Sequence, residues 1–286
     1  MANLILGTVQ FGLDYGINNL QGKPEMESVF QILSYAYEKG IRYLDTAEVY
    51  GNSHQLIGEF HKLNPSKKFN IITKFPHELN DSLDNKIKTY LNQLSIERLH
   101  AILFHSFDSY LKHKEQLKII SKLKTKKVEY IGVSIYTNEQ MEEVINDINI
   151  DIIQMPFNLF DNINQRGELL KKAKIKNKII HTRSAFLQGL FFMKKDNPNK
   201  IRIQLEKELE IVLNISLKYS ITIGTLALNY CLRQANVDGV LIGVDSLAQL
   251  KENITYAVSD ITDEYINEIN TIKINNVELL NPSLWK

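Results

Sequence analysis

The chain has 286 residues, a formal net charge of +1 and 44% hydrophobic residues, which is enough apolar material for one large buried core. This nearly neutral balance gives no general attraction to nucleic acid, to a membrane surface or to an acidic partner. A single cysteine, Cys231, excludes an internal disulfide framework; it lies in an apolar helical stretch and is interpreted as a small core residue.

Targeting and macromolecular binding have little support in the sequence. No stretch approaches the roughly 18 apolar residues of a membrane span, and residues 1–12 lack the basic start and long apolar region of a secretory signal. The one tryptophan, Trp285, offers no aromatic platform for nucleic acid. Two lysine-rich runs, 122–127 and 171–178, fall where helices should end and are interpreted as solvated helix ends. We therefore expect a cytoplasmic protein with neither a membrane nor a nucleic-acid partner.

Short apolar runs alternate with amphipathic segments along the chain, and these runs lack the strict alternation of a half-exposed strand. This pattern is typical of parallel strands covered on both faces. The predicted strands cover residues 4–6, 41–44, 70–74, 101–104, 130–133, 152–155, 178–181 and 239–242. Helix start signals lie between them, such as Ser53, Asp108 and Thr137. The α/β alternation predicts a (β/α)8 TIM barrel forming a single domain over residues 1–286, with a doubly wound sheet as the alternative.

The spacing between the seventh and eighth predicted strands is about twice the spacing elsewhere in the barrel. It predicts an extra loop over residues 184–200 followed by two helices. After residue 260 the pattern predicts one more helix and an irregular tail that packs on the barrel. Additions near the top of a barrel commonly line its pocket.

Four polar residues lie at or just after the ends of apolar runs: Asp45, Tyr50, Lys74 and His105. A parallel barrel assembles its active site from the carboxyl ends of its strands, so these side chains are expected to meet. A lysine with its own carboxylate partner can lower the pKa of a tyrosine, and a histidine can orient a carbonyl group. Alone, Tyr50, Lys74 and His105 each have a commoner structural explanation, and Asp45 is equally well explained as a cap or loop carboxylate. Together the four predict a carbonyl-reducing site.

The same residues carry a resemblance to the aldo-keto reductases, barrel enzymes that reduce carbonyls with a nicotinamide cofactor. The similarity follows the family order through the segments LGTVQFG, DTAEVYG, ITKF, LFHSFD, GVS, QMPFN and GVDSLAQLKEN, and thus covers nearly the whole chain. The resemblance implies that Tyr50 is the general acid, that Lys74 lowers its pKa, that Asp45 pairs with Lys74, and that His105 orients the substrate. The cofactor would supply the hydride.

The resemblance also implies the contacts of a bound NADP(H) or NAD(H). Ser134 and Gln154 match positions that hydrogen-bond the nicotinamide carboxamide, and the segment after the last strand matches positions that hold the adenosine phosphate and the adenine. The expected cofactor-binding residues are Gly7, Thr8, Ser134, Gln154, Arg183, Ser184, Leu187, Gly189, Gly243, Asp245, Ser246, Gln249 and Asn253. The expected substrate pocket contains Phe11, Tyr15, Tyr136, Phe157 and Phe186. No metal is expected, because the histidines form no ligand pair.

Three positions depart from the family pattern. Ile135 follows Ser134 where an asparagine is usual, so one contact to the carboxamide is lost or made elsewhere. Arg183 stands where many members stack a tyrosine on the nicotinamide; it either stacks as well or binds an anionic substrate or the cofactor pyrophosphate. Asp245 stands where NADPH users often carry a base, and a carboxylate repels a 2′-phosphate but accepts a bond from a free ribose hydroxyl. Lys251 offsets Asp245 only if its side chain folds back.

The sequence therefore predicts NAD(P)H-dependent reduction of a small aldehyde or ketone. The first motif resembles that of bacterial relatives in sugar and surface-polysaccharide pathways, which suggests a keto sugar or a sugar-derived carbonyl compound. One alternative is a regulatory subunit that binds cofactor and turns over slowly, in view of the changes at Ile135 and Arg183. The other is a lyase that forms a Schiff base on Lys74, which requires that lysine to be neutral and unpaired.

Overall fold

The structure, a computed structural model, describes residues 2–16, 19, 22–124, 126–259 and 262–285. Eight parallel strands form a closed barrel in chain order, and the last strand pairs with the first. They are β1 (Asn3–Gly7), β2 (Tyr43–Asp45), β3 (Asn70–Phe75), β4 (Leu99–Phe104), β5 (Val128–Ser134), β6 (Ile152–Pro156), β7 (Ile179–Arg183) and β8 (Gly239–Gly243). The predicted barrel is confirmed, and its closure rules out the doubly wound sheet, in which two strands would be left as edges.

Every observed strand boundary lies within two residues of the prediction, and β2 is the strand whose start is most delayed. The sequence pattern predicts a strand from residue 41, whereas the observed strand begins at Tyr43. The backbone N–H of Ile41 donates instead to the carbonyl of Ala36, at 3.0 Å, and so closes the end of the preceding helix. An apolar residue such as Ile41 is buried whether it belongs to the strand or to the turn before it, so an apolar pattern alone does not locate the start of the strand.

The helices cover the outside of the barrel. In chain order they are α1 (Val9–Gly12), α2 (Met26–Glu38), α3 (Ser53–Leu63), α4 (Leu83–Leu94), α5 (Phe107–His113), α6 (Leu117–Leu123), α7 (Asn138–Ile145), α8 (Ile163–Ile175), α9 (Lys200–Gln204), α10 (Glu206–Tyr219), α11 (Ile223–Leu232), α12 (Leu247–Val258) and α13 (Asp263–Ile269). Thr137 caps α7 in a capping box with Gln140, as its sequence signal indicates. The cap of α5 is Ser106 rather than Asp108. Among the described helices none alone has the length and apolarity of a membrane span, although α10 and α11 meet those criteria as a pair bent by 97°.

The long connection between β7 and β8 contains one more helix than predicted. A 3-10 segment, Leu187–Phe192, is followed by α9, α10 and α11. The chain leaves helical geometry between α9 and α10 at Leu205, whose φ of −106° and ψ of 18° end the first helix. Leu205 is itself buried, so the break follows from packing and leaves no polar or glycine signal in the sequence.

Two hydrophobic clusters account for the core. The larger lies mainly between strands and helices and includes Cys231, which is buried as predicted. The smaller lies within the barrel and consists of Ile5, Ile72, Ala101, Leu103, Ile152 and Leu241. A Cβ on Gly239 would lie 2.5 Å from Ile5 Cδ1 and 2.9 Å from His181 Cδ2, so the interior is filled at that level. The barrel therefore has no open channel at that level.

The tail after α13 contributes to the larger cluster through Ile272, Ile274 and Leu280. Trp285 donates its indole N–H to the carbonyl of Leu279, at 3.1 Å, which anchors the end of the tail.

One lysine in the two basic runs departs from the predicted solvated role. Lys178 is buried, and its ammonium donates to the carbonyls of Asp147 at 2.6 Å and Ile150 at 2.5 Å. Burial lowers the pKa of this lysine. Through these two carbonyls it ties the start of β7 to the connection before β6.

Candidate active site

A cleft of about 750 Å³ opens at the carboxyl ends of the strands, and all four predicted catalytic residues line it. Asp45 ends β2, Lys74 lies near the end of β3, and His105 directly follows β4. Tyr50 lies in the connection from β2 to α3. The parallel direction of the strands brings these four side chains to one end of the barrel.

Asp45 and Lys74 form a buried ion pair beneath the cleft. The Lys74 ammonium donates to Asp45 Oδ1 and to the carbonyl of Thr46, the latter at 3.0 Å. The second carboxylate oxygen of Asp45 accepts from the amide nitrogen of Gln154 at 2.8 Å. Burial lowers the pKa of Lys74, and the charge of Asp45 opposes this shift. Gln154, expected as a cofactor contact, therefore also holds the carboxylate that neutralises Lys74.

The position of Tyr50 depends on two glycines in close contact. A Cβ on Gly12 would lie 1.7 Å from the carbonyl oxygen of Tyr50, and one on Gly51 would lie 2.3 Å from the carbonyl oxygen of Gly12. Gly51 also has a φ of +55°, which a side chain would strain. The Tyr50 ring packs edge-on to the ring of His105, with centroids 5.7 Å apart, and its centroid lies 5.4 Å from Lys74 Nζ.

The electrostatics of Tyr50 differ from the expected pattern. Burial raises the pKa of its hydroxyl, and the charge of Asp45 raises it further; Arg183 is the cation that opposes the shift. The net shift of the pKa of Tyr50 is therefore upward, because burial disfavours the phenolate and the charge of Asp45 acts in the same direction. The expected part of Lys74 in lowering this pKa stays a prediction. The Tyr50 hydroxyl is protonated at neutral pH.

His105 is neutral because of its surroundings. Burial lowers the pKa of this histidine to about 3, and the charge of Lys74 adds to the shift. Its Nδ1 is buried and has no hydrogen-bond partner within the part of the chain that the structure describes. The ring of His77 stacks on it, with centroids 4.9 Å apart. A neutral imidazole can donate a hydrogen bond to a carbonyl oxygen.

Most of the expected cofactor residues lie in the wall of the cleft. Those that line it are Gly7, Thr8, Ser134, Gln154, Arg183, Ser184, Gly189, Gly243, Asp245, Gln249 and Asn253. Leu187 does not, because its side chain is fully buried in the core. Ser246 caps α12, accepting a bond from the backbone N–H of Gln249 at 3.3 Å.

The expected substrate residues divide into two groups. Tyr15, Tyr136 and Phe186 line the cleft. Phe11 and Phe157 are fully buried, and Phe157 stacks on Tyr230 with centroids 5.6 Å apart. Their assignment to the pocket is corrected, because an aromatic residue just after a strand can turn into the core as readily as into the cleft.

Several residues in the wall of the cleft were missed by sequence reasoning. They are Val9, Gln10, Gly16, Asn19, Ala185, Gln188, Phe192, Leu241, Glu252, Tyr256, Pro282 and Ser283. The Gln188 amide donates to the hydroxyl oxygen of Tyr15 at 3.0 Å and so joins the long β7–β8 connection to the loop after α1. The predicted extra loop and the predicted tail indicated the segments that contain Gln188, Pro282 and Ser283, but no sequence pattern identified these individual residues.

The wall has features that fit a dinucleotide. Asp245 Oδ1 and Gln10 Oε1 are buried and lack hydrogen-bond partners among the described residues, so both can accept bonds from ligand hydroxyl or amide groups. A Cβ on Gly243 would lie 2.7 Å from Gln10 Nε2, so a side chain at this position would displace the amide group of Gln10. The first turn of α12 carries no acidic residue, which leaves its N-terminus suitable for a phosphate. Lys251, by contrast, lies over the ring of Tyr35, 5.4 Å from its centroid.

Comparisons with known proteins agree with this geometry. A family model described as the aldo/keto reductase family matches residues 3–274. The chain is 25% identical over 268 residues to the NADH-specific methylglyoxal reductase of Escherichia coli (strain K12), which covers 80% of this chain and 82% of that protein. It is also 25% identical over 291 residues to the uncharacterized oxidoreductase YqkF of Bacillus subtilis (strain 168), covering 92% and 94% of the two chains.

Among solved structures, the holo form of the aldo-keto reductase AKR11C1 from Bacillus halodurans has a TM-score of 0.78 at 20% identity, over 94% of this chain and 91% of that one. This likeness shows the fold. The predicted family is confirmed: the chain belongs to the aldo/keto reductase family, as an NAD(P)H-dependent oxidoreductase that acts on carbonyl compounds.

Proposed function

We propose that this protein reduces a small aldehyde or ketone, with Tyr50 as the general acid. The observation that carries the proposal is the packing of Tyr50 against His105 in the wall of one cleft, where burial raises the pKa of the Tyr50 hydroxyl and lowers that of His105. When bound, a reduced nicotinamide supplies hydride to the carbonyl carbon. Tyr50 then donates its proton to the carbonyl oxygen, because the developing alkoxide is a stronger base than a phenolate even when burial raises the pKa of Tyr50.

The neighbouring residues support this proton transfer. The neutral His105 imidazole donates a hydrogen bond that orients the carbonyl oxygen. Lys74, whose Nζ lies 5.4 Å from the Tyr50 ring centroid, stabilises the phenolate that remains after the proton has left. Asp45, held by Gln154, keeps Lys74 in place. Such preorganised charges act strongly because the site is largely shielded from water.

We assign NADH as the preferred cofactor. The unpartnered Asp245 Oδ1 suits a free ribose hydroxyl and would repel a 2′-phosphate. Lys251, the base in the same segment that could offset Asp245, lies over Tyr35. The E. coli relative is named as NADH-specific, which supports the same assignment.

The walls of the cleft suit a polar carbonyl compound such as a keto sugar or a sugar-derived aldehyde. Hydroxyl and amide groups come from Tyr15, Tyr136 and Gln188, and apolar surface comes from Phe186 and Phe192. The Schiff-base alternative is disfavoured, because Lys74 is fully buried and paired with Asp45 rather than free to attack a carbonyl.

The test combines cofactor titration with turnover of methylglyoxal and glyceraldehyde. We expect tighter binding of NADH than of NADPH by fluorescence, and turnover with either aldehyde. Tyr50→Phe should lower kcat by about 10²- to 10⁴-fold, since it removes the proton donor, and leave the Kd of NADH unchanged.

Tyr130→Phe is the matched control, because Tyr130 lies near the amino end of β5, away from the cleft; we expect wild-type turnover from it. Full activity in Tyr50→Phe would exclude the assigned role of Tyr50. Tight cofactor binding with slow turnover of every carbonyl would instead favour a regulatory subunit. Borohydride trapping of a substrate on Lys74 would favour the lyase.

A further inference from the structure

Around Tyr50 and His105, which we call the reacting end of the cleft, the charges of the wall do not sum to zero. Asp45 and Lys74 pair with each other there, and His105 is neutral. Arg183, the last residue of β7, also lines the cleft and is permanently charged. It forms no ion pair within the described part of the chain. One positive charge therefore remains uncompensated beside the reacting groups.

The guanidinium of Arg183 is held in place with most of its donors unused. Its Nη2 donates to the carbonyl of Ile135 at 3.1 Å, and its Cζ lies 4.1 Å from the centroid of the Tyr136 ring. Only one of the five N–H groups is committed by these contacts. A rigid, stacked guanidinium of this kind loses little freedom on binding a carboxylate or a phosphate.

No carboxylate is available to take up this charge from within the protein. Asp161, which also experiences the charge of Arg183, is bound on both oxygens by Arg166, at 2.6 and 2.7 Å. The carboxylates of Asp245 and Glu252 also line the cleft, but on the side formed by the β8–α12 segment. An anion for Arg183 must therefore come from a ligand.

The surroundings of Arg183 identify that ligand as the substrate. Its charge opposes the rise in the pKa of the hydroxyls of Tyr50 and Tyr15, so it acts at the reacting end of the cleft. The Tyr15 oxygen accepts a bond from Gln188 at 3.0 Å, which leaves its O–H able to donate to the same anion. The segment suited to the adenosine phosphate begins at α12, on another wall.

We propose that Arg183 binds an anionic group of the substrate, so that this reductase acts on aldehydes or ketones carrying a phosphate or a carboxylate. The proposal rests on the carbonyl reduction proposed above and names its substrate class. Hydrogen bonds to a charged group in a sheltered site correspond to about a 10- to 150-fold change in kcat/KM.

The experiment compares matched neutral and charged aldehydes at saturating NADH. Glyceraldehyde 3-phosphate with glyceraldehyde tests a phosphate, and glyoxylate with methylglyoxal tests a carboxylate. We expect the charged member of at least one pair to have a kcat/KM at least about 10-fold higher, and that pair identifies the anion. Arg183→Gln should abolish this preference, with a loss of kcat/KM at least about 10-fold larger for the charged member than for the neutral one, and Arg183→Lys should restore part of it.

The wild-type ratios test the proposal independently of how the variants fold. Equal kcat/KM values within both pairs would overturn it and leave the reductase function intact. A loss in Arg183→Gln that is equal for neutral and charged substrates, together with weaker NADH binding, would also overturn it by placing Arg183 on the cofactor. Failure of the wild-type protein to reduce any of the four aldehydes would instead overturn the proposed reductase function.

Discussion

Asp45 and Lys74 show how two individual residues depend on each other in a buried site. Each has further polar partners, since Gln154 donates to Asp45 and Lys74 donates to the carbonyl of Thr46. Removing one charge leaves the other buried without its counter-ion, whereas removing both leaves neutral groups that cost less to bury. The pair therefore contributes to orientation and charge at Tyr50 more than to net stability.

Lys74→Met and Asp45→Asn should each lower the free energy of unfolding by about 3–5 kcal/mol. The double variant should recover most of that loss, because no unpaired charge remains, yet stay inactive, because no cation stabilises the Tyr50 phenolate. Urea unfolding of the three variants and their kcat values check this. Strictly additive losses of stability would show that the two charges do not depend on each other.

At the scale of elements, the connection from β2 to α3 carries Tyr50 and is fixed from two sides. On one side Gly51 packs on Gly12, at the end of α1. On the other, Glu48 accepts from Lys86 at 2.6 Å and from the hydroxyl of Tyr90, both on α4. The general acid thus lies on a loop that is held as firmly as the strands around it, which a catalytic geometry requires.

Gly12→Ala should lower kcat by about 10²-fold, because the added Cβ would collide with the backbone carbonyl of Tyr50 at 1.7 Å and displace the loop. The Kd of NADH and the thermal midpoint of unfolding should stay close to their wild-type values. Gly167→Ala in α8 is the matched control, since its Cβ would meet only the flexible side chain of Ile163, at 3.1 Å. Wild-type kcat in Gly12→Ala would show that the contact does not position Tyr50.

At the scale of the whole molecule, the barrel buries histidines at several levels. His105 lies at the cleft, His181 lies within β7, and His54 joins α3 to β3 by a 2.8 Å contact between its Nε2 and Thr73 Oγ1. Burial lowers the pKa of His54 and of His181 to about 4. These rings fold in the neutral form, so folding is linked to pH through all of them.

The free energy of unfolding should fall as the pH drops from 6.5 toward 4. In this window the unfolded chain binds protons that the folded histidines exclude, and each group contributes up to about 1.4 kcal/mol per pH unit. His54→Gln keeps a hydrogen-bonding side chain that does not titrate, and should make the slope shallower. Urea unfolding at successive pH values checks this, and an unchanged slope in His54→Gln would contradict it.

The barrel and the meeting of Asp45, Tyr50, Lys74 and His105 at one end of it could both be predicted from the sequence. Apolar runs such as residues 70–74 and 101–104 predict strands locally, and the parallel topology then requires Lys74 and His105 to share one end. The cap of α7 at Thr137 could also be predicted, because it involves only Gln140, three residues further along the chain. Periodicity, spacing and capping depend on neighbours a few residues away, so a single sequence is sufficient to read them.

Two features could be learned only from the tertiary structure: whether a side chain near a strand end faces the cleft or the core, and which charged groups in the cleft have a counter-ion. Gln154 donates to Asp45 across 109 positions of sequence, and Phe157 turns inward to stack on Tyr230. Burial raises the pKa of Tyr50 although a lysine is close by, and Arg183 is left without a counter-ion among the described residues. The burial of a side chain and its long-range partners depend on residues from the whole packed barrel, so no local pattern in the sequence predicts them.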